Sequence, residues 1–350
     1  MNGTKHGLAG VPRALQPLTR KEFTSDAEVR WCPGCGDYAI LAVFQGLLAQ
    51  LGIARENTVV VSGIGCSARF PYYVDSYGMH SIHGRAPAIA TGIAMTRPDL
   101  AVWVVTGDGD ALSIGGNHLI HVLRRNINLT ILLFNNRIYG LTKGQCSPTS
   151  EQGKVTKSTP VGSLDTPFNP VTLALGAEAT FVARAVDSDR NGLTEVLLAA
   201  ANHRGAALVE IYQNCPIFND GAFDALKGRG SDQALIRLRH AEPITFADGT
   251  LGVVRDPATH DLRVAQVAQV GLDAVLVHDA HRQDPSLAFQ LSRLTDSAGL
   301  HRAPVGIFRD VDRPAYDDLA REQLADADTG SDADEALQRL LRGSETWQVG

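Results

Sequence analysis

Basic runs and long apolar stretches are missing from this 350-residue chain, and cysteine is sparse at five residues. The formal net charge is −6, with no basic-aromatic stretch to offset it, which weighs against a nucleic-acid partner. No apolar run is long enough to cross a bilayer, so no membrane association is expected. Residues 1–23 carry scattered charge and proline without an apolar h-region, so no secretion signal is expected either. These absences predict a cytoplasmic protein. Thiols stay reduced in that compartment, so the five cysteines point to metal or redox chemistry and not to disulfides. The remaining composition is globular, 44% hydrophobic, and long enough for one large or two ordinary domains. No internal repeat is evident.

What is present begins with Gly107-Asp108-Gly109-Asp110, which follows the apolar run 100–106, a typical buried strand. The glycines let the backbone turn sharply and approach phosphate oxygens without a side-chain clash. Residues 115–125 fit a helix, and 129–134 fit a second buried strand that ends at Asn135-Asn136-Arg137-Ile138-Tyr139-Gly140. That is a βαβ unit, whose ligand lies where the parallel strands end. Asp108 supplies an anionic oxygen, Asn136 a neutral one, and the main-chain carbonyl of Ile138 a third. So few protein oxygens, completed by diphosphate oxygens and water, suit octahedral Mg²⁺. The pattern resembles the diphosphate-anchoring motif of thiamine diphosphate enzymes. The bland alternative is an ordinary βαβ loop with Asp108 as a helix cap. A Rossmann site does not fit, because no GxGxxG opens a helix and no acidic residue closes the next strand.

The cysteines are Cys32, Cys35, Cys66, Cys146 and Cys215. Trp31-Cys32-Pro33-Gly34-Cys35-Gly36 admits three readings. A thioredoxin-like pair should follow a buried strand, and residues 24–30 are polar and charged. A structural zinc site more often has a second close pair, and Cys66 and Cys215 are isolated. A [4Fe–4S] cluster on Cys32, Cys35, Cys66 and Cys215 requires only that the fold gather distant loops. Cys66 follows the apolar run 58–61, and Cys215 follows 207–212. Both therefore fall at strand ends, on the edge where the diphosphate site is expected. Cys146 reads as an extra thiol.

These motifs together are similar to the β subunits of 2-oxoacid:ferredoxin oxidoreductases, and most of all to the 2-oxoglutarate type. The resemblance runs from residue 31 to 219. It rests on Trp-Cys-Pro-Gly-Cys-Gly, Gly63-Ile64-Gly65-Cys66-Ser67, His83-Gly84-Arg85-Ala86, Gly-Asp-Gly-Asp, the Asn-Asn-Arg-Ile-Tyr-Gly run and Asn214-Cys215-Pro216. It implies an α/β fold: a parallel-sheet thiamine diphosphate-binding (PP-type) domain with helices on both faces, plus a C-terminal extension. It implies thiamine diphosphate, Mg²⁺ and a [4Fe–4S] cluster as cofactors, with coenzyme A as co-substrate. The cluster ligands fall on Cys32, Cys35, Cys66 and Cys215. The Mg²⁺ ligands fall on Asp108, Asn136 and the Ile138 carbonyl. Thiamine contacts fall on Ile64, Gly65, Cys66, Ser67, His83, Gly109, Asp110, Gly140 and Leu141. The implied reaction is oxidative decarboxylation of 2-oxoglutarate to succinyl-CoA and CO₂, with electrons passed to ferredoxin. Pyruvate and branched-chain oxoacids are the alternative substrates. Because the Cys66 turn serves both centres, they should lie within about 15 Å of each other.

Arg69, three residues past Cys66, is expected to pair with a second substrate carboxylate, and Leu141 is expected to line the substrate pocket. Without the resemblance, His83 reads as a satisfied core histidine. Thiamine enzymes also need a carboxylate on the pyrimidine ring, and no second α/β region here offers one. In the resembled family it comes from a separate α subunit, so an αβ or (αβ)₂ assembly is expected. Organisation along the chain is read as an arm (1–25), a cofactor domain (26–225) and a C-terminal extension (226–350). The arm should pack on a partner or stay mobile. The extension should hold a hairpin around Asp248-Gly249, a helix over 285–296, a strand over 303–308 and a solvated acidic tail over 310–335. Its expected role is subunit contact or cover for the cluster. The irregular stretch 142–169 should close over the diphosphate. Two further readings stand beside the redox one: a non-redox thiamine decarboxylase subunit, and a catalytically silent scaffold.

Overall fold

The computed structural model describes residues 6–228, 230–295, 300–327, 332–347 and 349. In chain order its strands are β1 (Thr58–Ser62), β2 (Tyr77–His80), β3 (Ala101–Gly107), β4 (Leu129–Asn135), β5 (Phe181–Val186) and β6 (Ala206–Tyr212). They continue with β7 (Leu235–Leu238), β8 (Thr245–Phe246), β9 (Leu251–Arg255), β10 (Leu262–Gln266) and β11 (Ala303–Asp310). The helices are α1 (Asp37–Leu51), α2 (Phe70–Tyr73), α3 (Ala86–Thr96), α4 (Asp108–Leu112), α5 (Gly116–Arg125) and α6 (Pro170–Gly176). Beyond them lie α7 (Arg190–Asn202), α8 (Val267–Val270), α9 (Ser286–Ser292), α10 (Tyr316–Ala327) and α11 (Ala333–Arg342).

Eight strands form one sheet in the order β2-β1-β3-β4-β6-β5-β11-β7, parallel except where β11 runs against β5. Parallel strands are covered on both faces, so their sequences must be apolar at successive positions. In β1, Val59 and Val61 enter one core while Val60 enters the other, the two-residue alternation of a strand. Helices α1 and α7 cover one face; α3, α5, α6 and α9 cover the other. From β1 the chain goes outward to β2, then returns to β3 on the other side. The order therefore reverses between β1 and β3, and a crevice opens at their C-terminal ends. The expected α/β architecture with a parallel sheet and helices on both faces is present.

Several details differ from the sequence reading. Residues 6–25 pack on this chain's own core, with Leu8, Val11 and Phe23 buried against α1 and its neighbours. Two strands from beyond residue 225, β7 and β11, complete the main sheet. The acidic stretch expected as a solvated tail is packed in its first part: α10 packs on α3, and its Asp317 is buried, accepting the Asn128 N–H at 3.0 Å, whereas residues 322–327 and 332–335 are exposed and 328–331 lie outside the described residues. Asp317 and Asp318 are also paired with Arg321, at 2.7 Å each, and Asp318 pairs with Arg204. Charge counting along the chain cannot see partners that distant. The expected hairpin is formed by β8 and β9, with Ala247, Asp248 and Gly249 all left-handed in its turn. The helix expected over 285–296 spans Ser286–Ser292, and residue 296 lies outside the described residues. Strands β2, β5, β7 and β10 and helices α2, α4, α6, α8, α10 and α11 were not anticipated. Residues 142–169 carry no helix or strand, as expected. Among the described residues no helix is long and apolar enough to cross a membrane.

Candidate cofactor and cluster site

A cavity of about 410 Å³ occupies the crevice at the ends of β1, β3 and β4. Every residue expected to touch thiamine or Mg²⁺ lines it: Ile64, Gly65, Cys66 and Ser67 after β1; His83 before α3; Asp108, Gly109 and Asp110 after β3; and Asn136, Ile138, Gly140 and Leu141 after β4. His83 is exposed to the cavity, so it is not a core histidine.

Asp108 is 2% exposed, and burial pushes its carboxyl up to about 6. Its Oδ2 accepts a hydrogen bond from Thr149 Oγ1 at 2.7 Å. Thr149 Oγ1 also lies 2.9 Å from Asn135 Oδ1, and Asn135 Nδ2 donates to Glu210 at 2.7 Å. The Ser147 side chain and the Gly109 N–H also reach this carboxylate; a buried carboxylate compensated only by neutral donors is a fit for a cation, which would replace the solvation that burial removes. The Asn136 side-chain oxygen accepts the Ile138 N–H at 3.1 Å, so residues 136–138 curl back on themselves. Arg137, between them, is left-handed at φ 61, and its guanidinium donates to the Thr149 carbonyl at 2.9 Å. The 142–169 stretch is thus tied to both halves of the diphosphate motif. Gly109 lies beneath the Tyr139 ring, where a Cβ would come within 2.2 Å of Cε1, and the Tyr139 hydroxyl donates to the Gly109 carbonyl at 3.1 Å.

Asp110 has a structural task. Its Oδ1 accepts the Gly84 N–H at 2.8 Å and its Oδ2 accepts the Thr106 hydroxyl at 2.8 Å. The carboxylate therefore ties the turn carrying His83 to the end of β3.

The four cysteines expected to hold a cluster lie together beside this cavity. Trp31 Nε1 donates to the Cys66 carbonyl at 2.8 Å, which brings the Cys32–Cys35 turn against the Cys66 turn. The Gly36 N–H donates to the Asn214 carbonyl at 3.1 Å, which brings the same turn against the residue before Cys215. Gly140 lies between the sulfurs: a Cβ there would sit 3.4 Å from Cys66 Sγ and 3.7 Å from Cys215 Sγ. Burial, the Asp37 carboxyl and the neighbouring thiols push Cys66 up to about 12, and burial pushes Cys35 higher still. Close, half-buried sulfurs that resist ionisation alone fit a shared cationic centre that would neutralise their thiolates. Cys146 lies apart, with its sulfur near Thr159 Oγ1 and the Lys154 carbonyl.

Arg69 is not brought to the cavity; its guanidinium donates to the Arg30 carbonyl at 3.1 Å. Leu141, 47% exposed, is at the cavity wall. Three residues escaped the sequence reading. Thr149 sits in a stretch with no periodicity to place it. Asp37, directly after the Cys-Pro-Gly-Cys-Gly run, is 1% exposed, lines the cavity and is pushed up to about 7 by burial. Gln213, the residue after β6, lines the cavity and reaches Cys35. A larger cavity, about 980 Å³, lies beside Arg184 and Glu210; it holds none of the expected cofactor residues and is bounded by Thr295 and Leu300, next to undescribed residues.

Residues 63–211 match the family "thiamine pyrophosphate enzyme, C-terminal TPP binding domain". The chain is 65% identical, over 356 aligned positions covering 99% of it and 95% of the relative, to the 2-oxoglutarate oxidoreductase subunit KorB of Mycobacterium tuberculosis. It is 48% identical over 201 residues to the 2-oxoacid:ferredoxin oxidoreductase 1 subunit beta of Aeropyrum pernix, covering 57% of this chain and 62% of that protein. Among solved structures, the 2-oxoglutarate:ferredoxin oxidoreductase from Magnetococcus marinus with 2-oxoglutarate, coenzyme A and succinyl-CoA bound superposes with a TM-score of 0.75. The match is 32% identical and covers 96% of this chain and 100% of that one. Cysteine turns, diphosphate loop and full-length similarity agree: the chain is an oxidoreductase subunit and belongs to the β-subunit family of the 2-oxoacid:ferredoxin oxidoreductases.

Proposed function

We propose that this chain is the β subunit of a cytoplasmic 2-oxoglutarate:ferredoxin oxidoreductase. With an α subunit it converts 2-oxoglutarate and coenzyme A to succinyl-CoA and CO₂ and passes electrons through a [4Fe–4S] cluster to ferredoxin. One observation carries the reading: Cys66 lines the diphosphate cavity on one side and lies with Cys215 around Gly140 on the other. Thiamine diphosphate supplies the carbon chemistry of decarboxylation, and a [4Fe–4S] cluster supplies single-electron acceptance. Asp108, Asn136 and the Ile138 carbonyl would hold Mg²⁺; Cys32, Cys35, Cys66 and Cys215 would hold the cluster. Ile64, Gly65, Cys66, Ser67, His83, Gly109, Asp110, Gly140 and Leu141, which line the cavity, would form the cofactor's bed. Leu141 would give the substrate pocket an apolar wall, and Asp110 keeps the His83 turn in place through the Gly84 N–H. Arg69 is proposed as the partner of the substrate's distal carboxylate from its place three residues past Cys66, although its guanidinium here meets the Arg30 carbonyl. Residues 26–225 would carry the cofactors; residues 226–350, besides completing the main sheet with β7 and β11, would contact the partner or cover the cluster.

The test is anaerobic co-production with the α subunit, followed by iron and acid-labile sulfide analysis and dye reduction with coenzyme A. The expected outcome is about four irons per αβ unit and fastest reduction with 2-oxoglutarate, ahead of pyruvate and 2-oxoisovalerate. Thiamine-dependent CO₂ release from an iron-free complex would instead support the non-redox decarboxylase.

A further inference from the structure

The turn that carries Cys35 is held by a side chain outside every recognised motif. Gln213 follows directly after β6 and is 1% exposed. Its main-chain N–H donates to the Asn135 carbonyl at 3.0 Å, which extends the β4–β6 pairing by one residue. From that fixed point its side chain lines the cofactor cavity and reaches the cysteine turn. Its Nε2 lies 3.2 Å from Cys35 Sγ and also donates to the Asn214 carbonyl. The second contact settles the amide's orientation, because a main-chain carbonyl only accepts and must face the nitrogen end. An NH₂ group has two protons, one for each acceptor. Gly36 makes the approach possible: a Cβ on it would lie 2.9 Å from Gln213 Cγ.

We infer that Gln213 is a positioning residue of the redox centre, whose side-chain N–H hydrogen-bonds the Cys35 thiolate and raises the reduction potential of the cluster. This rests on the cluster reading proposed above. When the cluster takes up one electron, negative charge spreads onto its thiolate sulfurs. A fixed N–H donor stabilises that more negative state, and hydrogen bonds to the sulfurs are among the determinants of cluster potential. No bond forms or breaks, and the proton stays on the Gln213 nitrogen. Among the described residues, Cys35 alone of the four receives a side-chain N–H bond.

The experiment compares αβ holoenzyme carrying wild-type Gln213, Gln213→Glu or Gln213→Met, each with iron and sulfide measured first. Redox titration followed by electron paramagnetic resonance then gives the midpoint potential. With clusters intact, both variants should shift it negative. A tenfold fall in the reduced-to-oxidised ratio at fixed poise corresponds to about 59 mV for a one-electron couple. An unchanged potential with full cluster content overturns the assignment. Wild-type enzyme with no iron–sulfur centre overturns the cluster reading and this inference together. If neither variant retains a cluster, wild-type protein labelled with ¹⁵N in glutamine side-chain amides decides. A ¹⁵N coupling to the reduced cluster supports the bond, and its absence overturns it.

Discussion

Asp108 shows how much a single residue's surroundings decide. Placed at the end of β3, its carboxyl is buried and pushed up to about 6. A raised value means that the folded protein holds a proton which the unfolded chain releases near pH 4. The group's contribution to stability is therefore complete below about pH 4 and lost as pH rises through about 6. Mg²⁺ requires the ionised form, so proton and metal compete. Its affinity, measured calorimetrically with saturating thiamine diphosphate, should rise about tenfold per pH unit up to pH 6 and then level off. The Asp108→Asn variant should lose that dependence. Thr149 sets the carboxylate's orientation through a 2.7 Å bond. Thr149→Val keeps the shape and removes the donor, and Mg²⁺ binding should weaken about 10- to 100-fold. An unchanged titration in that variant would show that the hydroxyl has no part in the site.

At the scale of elements, turns at strand ends do the gathering. The Gly34 turn, left-handed at φ 82, brings the Cys35 N–H within 3.0 Å of the Cys32 carbonyl. The turn through Gly140 passes close to two sulfurs because it has no Cβ. In Gly140→Ala the added methyl makes ordinary contacts with the empty thiols, so the fold should persist by circular dichroism. It would crowd a cluster in that space, and cluster retention, measured as iron released to a chelator, should weaken about tenfold. Equal retention would place the cluster elsewhere. The sequence reading succeeded for strands with unbroken apolar runs, such as β1, β3 and β4. It missed β5, where Arg184 interrupts Phe181-Val-Ala-Arg-Ala-Val. That arginine is buried because Glu210 on neighbouring β6 meets it at 2.7 Å, a partner invisible in one segment. It missed β2 because Tyr77-Gly78-Met79-His80 is an exposed edge strand with no apolar run.

At the scale of the whole molecule, an eight-stranded sheet reverses between β1 and β3 to open the crevice and takes its last two strands from the C-terminal extension, whose β10, β9 and β8 form a second, three-stranded sheet. One wall of a thiamine site is present; the carboxylate that activates the pyrimidine is expected from the partner. General acid–base catalysis contributes roughly 10²- to 10⁴-fold, so dye reduction by the isolated chain should fall below the αβ rate by at least that factor. Recovery on adding purified α subunit checks the assignment. Full activity without it would overturn the proposed assembly.

The residue types and local spacing of this chain already marked its family and the place of its thiamine diphosphate loop. Gly-Asp-Gly-Asp before Asn-Asn, with a strand ahead of each, points to a diphosphate loop, because ligand type and turn geometry are local properties. Tertiary structure alone decided which side chains support that chemistry. Thr149, Asp37 and Gln213 take their roles from partners far along the chain, and Arg69 sits beside the Arg30 carbonyl, outside the cavity wall. The four cysteines, spread from residue 32 to 215, became neighbours only because parallel strands deliver their loops to one edge of the sheet. Burial and hydrogen-bond partnership are properties of the packed chain, and no window of sequence contains them.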